Sequence, residues 1–155
     1  MLYQQRAVNV NNIKECEDMT ELFMLIAGSR DFGNYAEMEK VCDKIIADKQ
    51  PSSITIISGG ARGADKLAEL YAQKKNYKIK IFPAKWNIYG RSAGYKRNEE
   101  MQQFLAQQIN RCVVCFWDGS SPGTAHNFPL AKKLNNELFV YNYKLNTNKN
   151  IPPLL

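Results

Sequence analysis

Histidine is nearly missing from this 155-residue chain, with one copy, and cysteine appears only four times. A single imidazole leaves no histidine-rich metal cluster to build. Four cysteines at this length are no disulfide scaffold, because the chain is long enough to bury a core without bridges. Cys112 and Cys115 do form a C-x-x-C, but inside the apolar run Cys112, Val113, Val114, Cys115, Phe116 and Trp117. That run reads as a buried strand, where cysteine acts as a small hydrophobe. No metal site and no resident cofactor are expected, and a reduced, cytoplasmic setting is. Long hydrophobic stretches are also missing. The runs 22–27 and 112–117 fall far short of the roughly 20 residues that span a bilayer. The first residues lack the basic-then-apolar pattern of a targeting segment, so no membrane association is expected.

What is present is globular in composition: 45% hydrophobic, 23% charged and 11% aromatic, which excludes a wholly disordered chain. The net charge of +6 is uneven. Residues 74–98 hold Lys74, Lys75, Lys78, Lys80, Lys85, Arg91, Lys96 and Arg97 and no acid, so the rest of the chain is net negative. This stretch suits either a polyanion-facing surface or a solvated face with edge-strand lysines.

The ends differ from the middle. Residues 1–21 are polar and read as an arm; residues 144–155 close on Ile151, Pro152, Pro153, Leu154 and Leu155 and read as a tail. Between them, 22–143 alternates. Strands are expected over 22–27, 54–58, 77–82, 112–117 and 138–142. Helices are expected over 35–48, 64–75, 94–107 and from Pro122 to about Leu134, with a loop over 83–93. Alternating strands and helices imply an α/β fold: a Rossmann-like, doubly wound parallel sheet of about five strands in three α/β/α layers. With strand order 3-2-1-4-5, a ligand would sit at the carboxyl ends of the strands, near the first and fourth. Lys78 and Lys80 would then guard an edge.

Three loops meet that edge. The first strand ends in Gly28, Ser29, Arg30 and Asp31, which offer an open backbone, a hydroxyl and a guanidinium suited to phosphate. The second ends in Ser58, Gly59, Gly60, Ala61, Arg62, Gly63, Ala64 and Asp65. Glycines between a strand and a helix suit a phosphate-cradling turn, although no P-loop lysine follows. The fourth ends in Asp118, Gly119, Ser120, Ser121, Pro122, Gly123 and Thr124, a second polar patch. Trp117 reads as core or as a base-stacking ring. Beyond the third strand, Trp86, Tyr89 and Tyr95 interleave with basic residues, and Arg97 and Asn98 open a helix near the same edge.

Together, Gly28 to Phe32, Ser58 to Asp65, Gly94 to Asn98 and Trp117 to Thr124 resemble the YspA-type branch of the SLOG superfamily. That superfamily groups the SMF/DprA DNA-uptake proteins with the Lonely Guy (LOG) phosphoribohydrolases. The resemblance spans about 22–143 and implies a pocket for a nucleotide or nucleotide-derived ligand, and a homo-oligomer. LOG enzymes cleave the N-glycosidic bond of a nucleoside monophosphate with an Arg and a Glu. Arg97 is similar in placement to that Arg. The Glu position, three residues beyond the motif's Thr, holds Asn127 here, after Ala125 and His126. Asn127 is no carboxylate; His126 is a candidate base or polar surface. Three functions stay open: nucleotide binding or sensing, nucleotide hydrolysis with Asp31, Asp65 or Asp118 replacing the Glu, and DprA-like nucleic-acid binding.

Overall fold

A computed structural model of the chain describes residues 20–145. The arm expected over 1–21 and the tail expected over 144–155 lie outside this range, apart from their innermost residues. The elements run β1 Glu21–Gly28, α1 Tyr35–Lys49, β2 Ser53–Ser58, α2 Ala64–Lys75, β3 Lys78–Ile81, α3 Trp86–Tyr89, α4 Ala93–Ala106, β4 Asn110–Trp117, α5 Pro122–Ala125, α6 Asn127–Lys133 and β5 Glu137–Asn142. The strands form one parallel sheet in the order β3-β2-β1-β4-β5. The fold is therefore α/β, Rossmann-like and doubly wound.

Strand periodicity divides the core between the two faces of the sheet. Leu22, Met24 and Ile26 of β1 join α1 and α2 through Met38, Val41, Cys42, Ala68 and Tyr71. Leu25 and Ala27 point the other way, to Met101 and Leu105 of α4 and Ala131 of α6. The same alternation explains the C-x-x-C. Three residues apart on a strand, Cys112 and Cys115 belong to opposite faces. Both thiols are buried, and burial pushes Cys112 up to about 12 and Cys115 higher still. They are core side chains.

Local chemistry sets the helix ends. Asn34 caps α1 by accepting the Glu37 N–H at 3.1 Å. Asn76, in the left-handed region at φ 58°, ends α2, whose last turn carries Lys74 and Lys75. Two expectations need correction. The helix expected from Pro122 to about Leu134 is divided at His126 into α5 and α6, because Pro129 has no N–H to donate to the Ala125 carbonyl. The loop expected over 83–93 contains α3 and a 3-10 turn, Gly90–Ser92.

The basic stretch does not form one face. Lys75 pairs with Asp43 at 3.0 Å, Lys78 lies 3.6 Å from Glu21, and Lys80 sits over the rings of Phe82 and Phe104. Only its end, Arg91 and Arg97, reaches the sheet's carboxyl edge. Lys78 and Lys80 do lie on the exposed edge strand β3. Among the described residues no helix is long and apolar enough to cross a membrane.

The loops after β1 and β2 touch at Gly63. It has φ +79°, and a Cβ there would stand 2.4 Å from the Arg30 carbonyl oxygen and 2.5 Å from that of Ser29. Gly63→Ala combines left-handed strain of about 1–2 kcal/mol with this backbone overlap. It should destabilise the fold by about 3 kcal/mol or more, read as a lowered urea midpoint at unchanged slope.

Candidate functional site at the carboxyl edge

Ser29 ties the first and fourth loops together. Its N–H donates to the Phe116 carbonyl at 2.9 Å, and its hydroxyl donates to Ser121 Oγ at 3.1 Å. The same hydroxyl oxygen accepts the Asp118 N–H at 3.2 Å. Phe32 turns inward and stacks on Phe116 with ring centroids 4.9 Å apart, which anchors the loop while Arg30 and Asp31 stay exposed.

Asp118 organises the fourth loop. Its carboxylate accepts the N–H groups of Ser120 and Ser121, at 2.9 and 2.7 Å, and the Ser121 hydroxyl at 2.7 Å. These donors hold it near pKa 2, so it is ionised at neutral pH and engaged in its own turn. Asp31 accepts the Tyr143 hydroxyl at 2.5 Å and lies 3.9 Å from Lys144. Trp117 donates its indole N–H to the Ser121 carbonyl and meets Phe128 edge-on. It is a structural ring, not a free stacking surface.

The glycine turn after β2 is built around an internal anion. The Ala61 N–H donates to Asp65 Oδ2 at 3.1 Å, the Gly60 N–H to Ser58 Oγ at 3.1 Å, and the Ala64 N–H to the Ser29 carbonyl at 3.3 Å. At the start of α2 the protein's own carboxylate thus takes the place that the sequence reading gave to a bound anion. Gly60 has φ +72°, and a Cβ there would meet Ile81, so its importance is conformational.

Arg97, in α4, reaches this turn and donates from Nη1 to the Gly59 carbonyl at 2.7 Å. A Cβ on Gly59 would lie 2.9 Å from both the Arg97 guanidinium and Asp65 Oδ2, so only glycine lets the two charges come together there. Arg97 Nε is buried and has no hydrogen-bond partner among the described residues. Burial raises Asp65 to about 6, opposed chiefly by Arg97 and by the Ala61 N–H. Burial lowers Arg97, opposed by Asp65. Desolvation outweighs mutual attraction at both groups.

These loops enclose a cavity of about 460 Å³, within the range of small-ligand sites. Gly28, Ser29, Arg30 and Asp31 line it from the first loop, and Ala61 and Asp65 from the second. Arg97 and Asn98 line it from α4, and Asp118, Ser121, Gly123 and Thr124 from the fourth loop. Ser58 and Gly63 stand behind it as framework. Gly59 and Gly60 instead face an adjoining hollow of about 590 Å³, which shares Arg30, Arg62, Trp86 and Arg97 with the first.

Arg62, Arg91, Tyr95 and Asn127, named from the sequence but not assigned to the ligand, also line the cavity, as does Met101. Arg62 lies within the glycine turn, and Met101 follows Arg97 by one helical turn, so spacing alone could have flagged both. Asn98 donates to the Gly123 carbonyl at 3.0 Å and holds α4 to the fourth loop. His126 packs edge-on against Tyr95, with its Nδ1 3.4 Å from Asn98 Nδ2.

Asp65 makes the stability depend on pH. Its folded pKa lies above its unfolded one, so the folded state holds the proton more tightly. Stability then falls as pH rises from about 4 to 6. Asp65→Asn should stabilise the protein at pH 7.5 by on the order of 2 kcal/mol, and this gain should vanish near pH 4. Thermal melts of both proteins across that range check it; a gain that persists undiminished at pH 4 would exclude the buried charge as its source.

The "Gene 61 protein" of Mycobacterium phage D29 is 29% identical over 116 residues, covering 71% of this chain and 88% of that protein. A structure described as a predicted subunit of tRNA methyltransferase from Methanocaldococcus jannaschii aligns over 85% of this chain and 71% of its own, at TM-score 0.41 and 13% identity. The model of the YspA, cpYpsA-related SLOG family matches residues 23–89. That segment carries Gly28 to Phe32 and Ser58 to Asp65, and over it the chain is similar to the YspA-type SLOG family.

Proposed function

We propose that the chain binds a phosphate-bearing nucleotide or nucleotide derivative in the carboxyl-edge cavity and does not cleave it. The match to the SLOG family over residues 23–89 supports a nucleotide-related role. The observation that carries the reading is Arg97: a cavity-lining guanidinium with a buried Nε that lacks a partner. A guanidinium partly stripped of water is costly to keep charged, and an anionic group in the cavity it lines offsets that cost. Arg30, Arg62 and Arg91 line the same cavity and add positive potential. The site also lies beside β1 and β4, where strand order reverses and where open α/β sheets bind ligands.

Binding is favoured over hydrolysis by the state of the carboxylates. Asp118 is engaged by three donors, and Asp31 is held by Tyr143. Asn127 occupies the position of the LOG carboxylate with a neutral amide. An oxocarbenium-like transition state has no free carboxylate there to stabilise it. Nucleic-acid binding finds less support, since Lys75 and Lys78 are paired with acids on separate parts of the surface.

Calorimetric titration tests the reading. Adenosine 5′-monophosphate should bind at least about tenfold more tightly than adenosine, and Arg97→Met should remove at least that advantage, as expected for a charge-assisted hydrogen bond of about 1.5–3 kcal/mol. No adenine should be released on prolonged incubation. Equal affinities for nucleotide and nucleoside, or fast base release, would contradict it.

A further inference from the structure

We propose that Asn127 presents its amide nitrogen to the cavity as a hydrogen-bond donor, with that polarity imposed by Arg111 through Asn136 and Gln102. The ligand atom that meets Asn127 is then a hydrogen-bond acceptor. The ligand half of this inference rests on the nucleotide reading above; the polarity half does not.

One chain of buried amides sets the polarity. Arg111 can only donate. Its Nε reaches Asn136 Oδ1 at 2.7 Å, while Nη1 donates to the Gln108 carbonyl at 2.6 Å. Asn136 must therefore turn its oxygen toward Arg111 and its nitrogen away. A second anchor agrees: Asn136 Nδ2 donates to the Gln102 backbone carbonyl at 3.1 Å, and a carbonyl can only accept. The same nitrogen donates to Gln102 Oε1 at 2.8 Å. With its oxygen so used, Gln102 donates from Nε2 to Asn127 Oδ1 at 3.2 Å. The nitrogen is then what Asn127 can offer to the cavity it lines.

Gln102, Asn127 and Asn136 are all buried, so a reversed amide would leave like groups facing each other without water. The polarity of the cavity wall is thus fixed by a cation near the opposite end of β4. A phosphate or ribose oxygen, or an unprotonated ring nitrogen, matches the donor. A developing positive centre at that point does not.

Side-chain amide exchange in ¹⁵N-labelled wild-type protein tests the polarity with no ligand present. The Asn127 side-chain protons should exchange at least tenfold faster than those of Gln102 and Asn136. Equally slow exchange at all three overturns the proposal. Gln102→Glu supplies an oxygen in place of Nε2, so Asn127 should turn inward. Its protons should become protected, and affinity for adenosine 5′-monophosphate should fall at least tenfold. Unchanged exchange at Asn127 in this variant contradicts the relay.

Asn127→Asp is the second variant, should Gln102→Glu not fold. It keeps the acceptor for Gln102, replaces the donor with oxygen, and should weaken the same nucleotide at least tenfold; unchanged affinity overturns the acceptor assignment. If the wild type does not bind this nucleotide, the nucleotide reading fails, and the exchange measurement still decides the polarity.

Discussion

The contact between Gly63 and the carbonyls of Ser29 and Arg30 is the constraint on which the site depends. It presses the end of the β1 loop against the start of α2, closer than any side chain permits. Ser29 is thereby held where its hydroxyl can join the fourth loop, and Arg30 stands over the glycine turn. Three separate strand ends become one wall. A looser junction would leave the sheet intact and the cavity open on one side.

Around that wall the protein carries electrostatic cost. Asp65 and Arg97 are both partly stripped of water, and each is shifted toward its neutral form despite the other. A site selected for stability alone would not hold a guanidinium with a buried, unpartnered Nε. The amides of Gln102 and Asn136 and the oxygen of Asn127 show the opposite policy, since each is matched to its complement and only the Asn127 nitrogen is left to the cavity. One half of the cavity is unsatisfied and the other is fully specified. That contrast is what a waiting anion site beside a shape-fixing wall would show.

Much of this was legible in the chain itself. Apolar strands bounded by glycine, and helices with one apolar face, are local signals, and they led to the alternating α/β class; the convergence of three loops followed only on the condition of a 3-2-1-4-5 strand order. The glycine spacing at 59, 60 and 63 marked the turn. It did not reveal that Asp65 fills the cradle, because that depends on how α2 begins relative to the turn. Pro129 interrupts the last helix, a signal present in the residues that a single helix to about Leu134 did not use. The amide relay could not be read. Arg111, Asn136, Gln102 and Asn127 come from four places in the sequence, and only the packing of α4 and α6 on β4 makes them neighbours.

The most direct test of the carboxyl-edge site is a map of backbone amide shifts on titration with adenosine 5′-monophosphate. The account predicts changes concentrated at residues 28–31, 61–65, 94–98 and 118–124, on the walls of one cavity. Changes confined to the β3 edge or scattered over the lysines of 74–85, with these four segments silent, would contradict it.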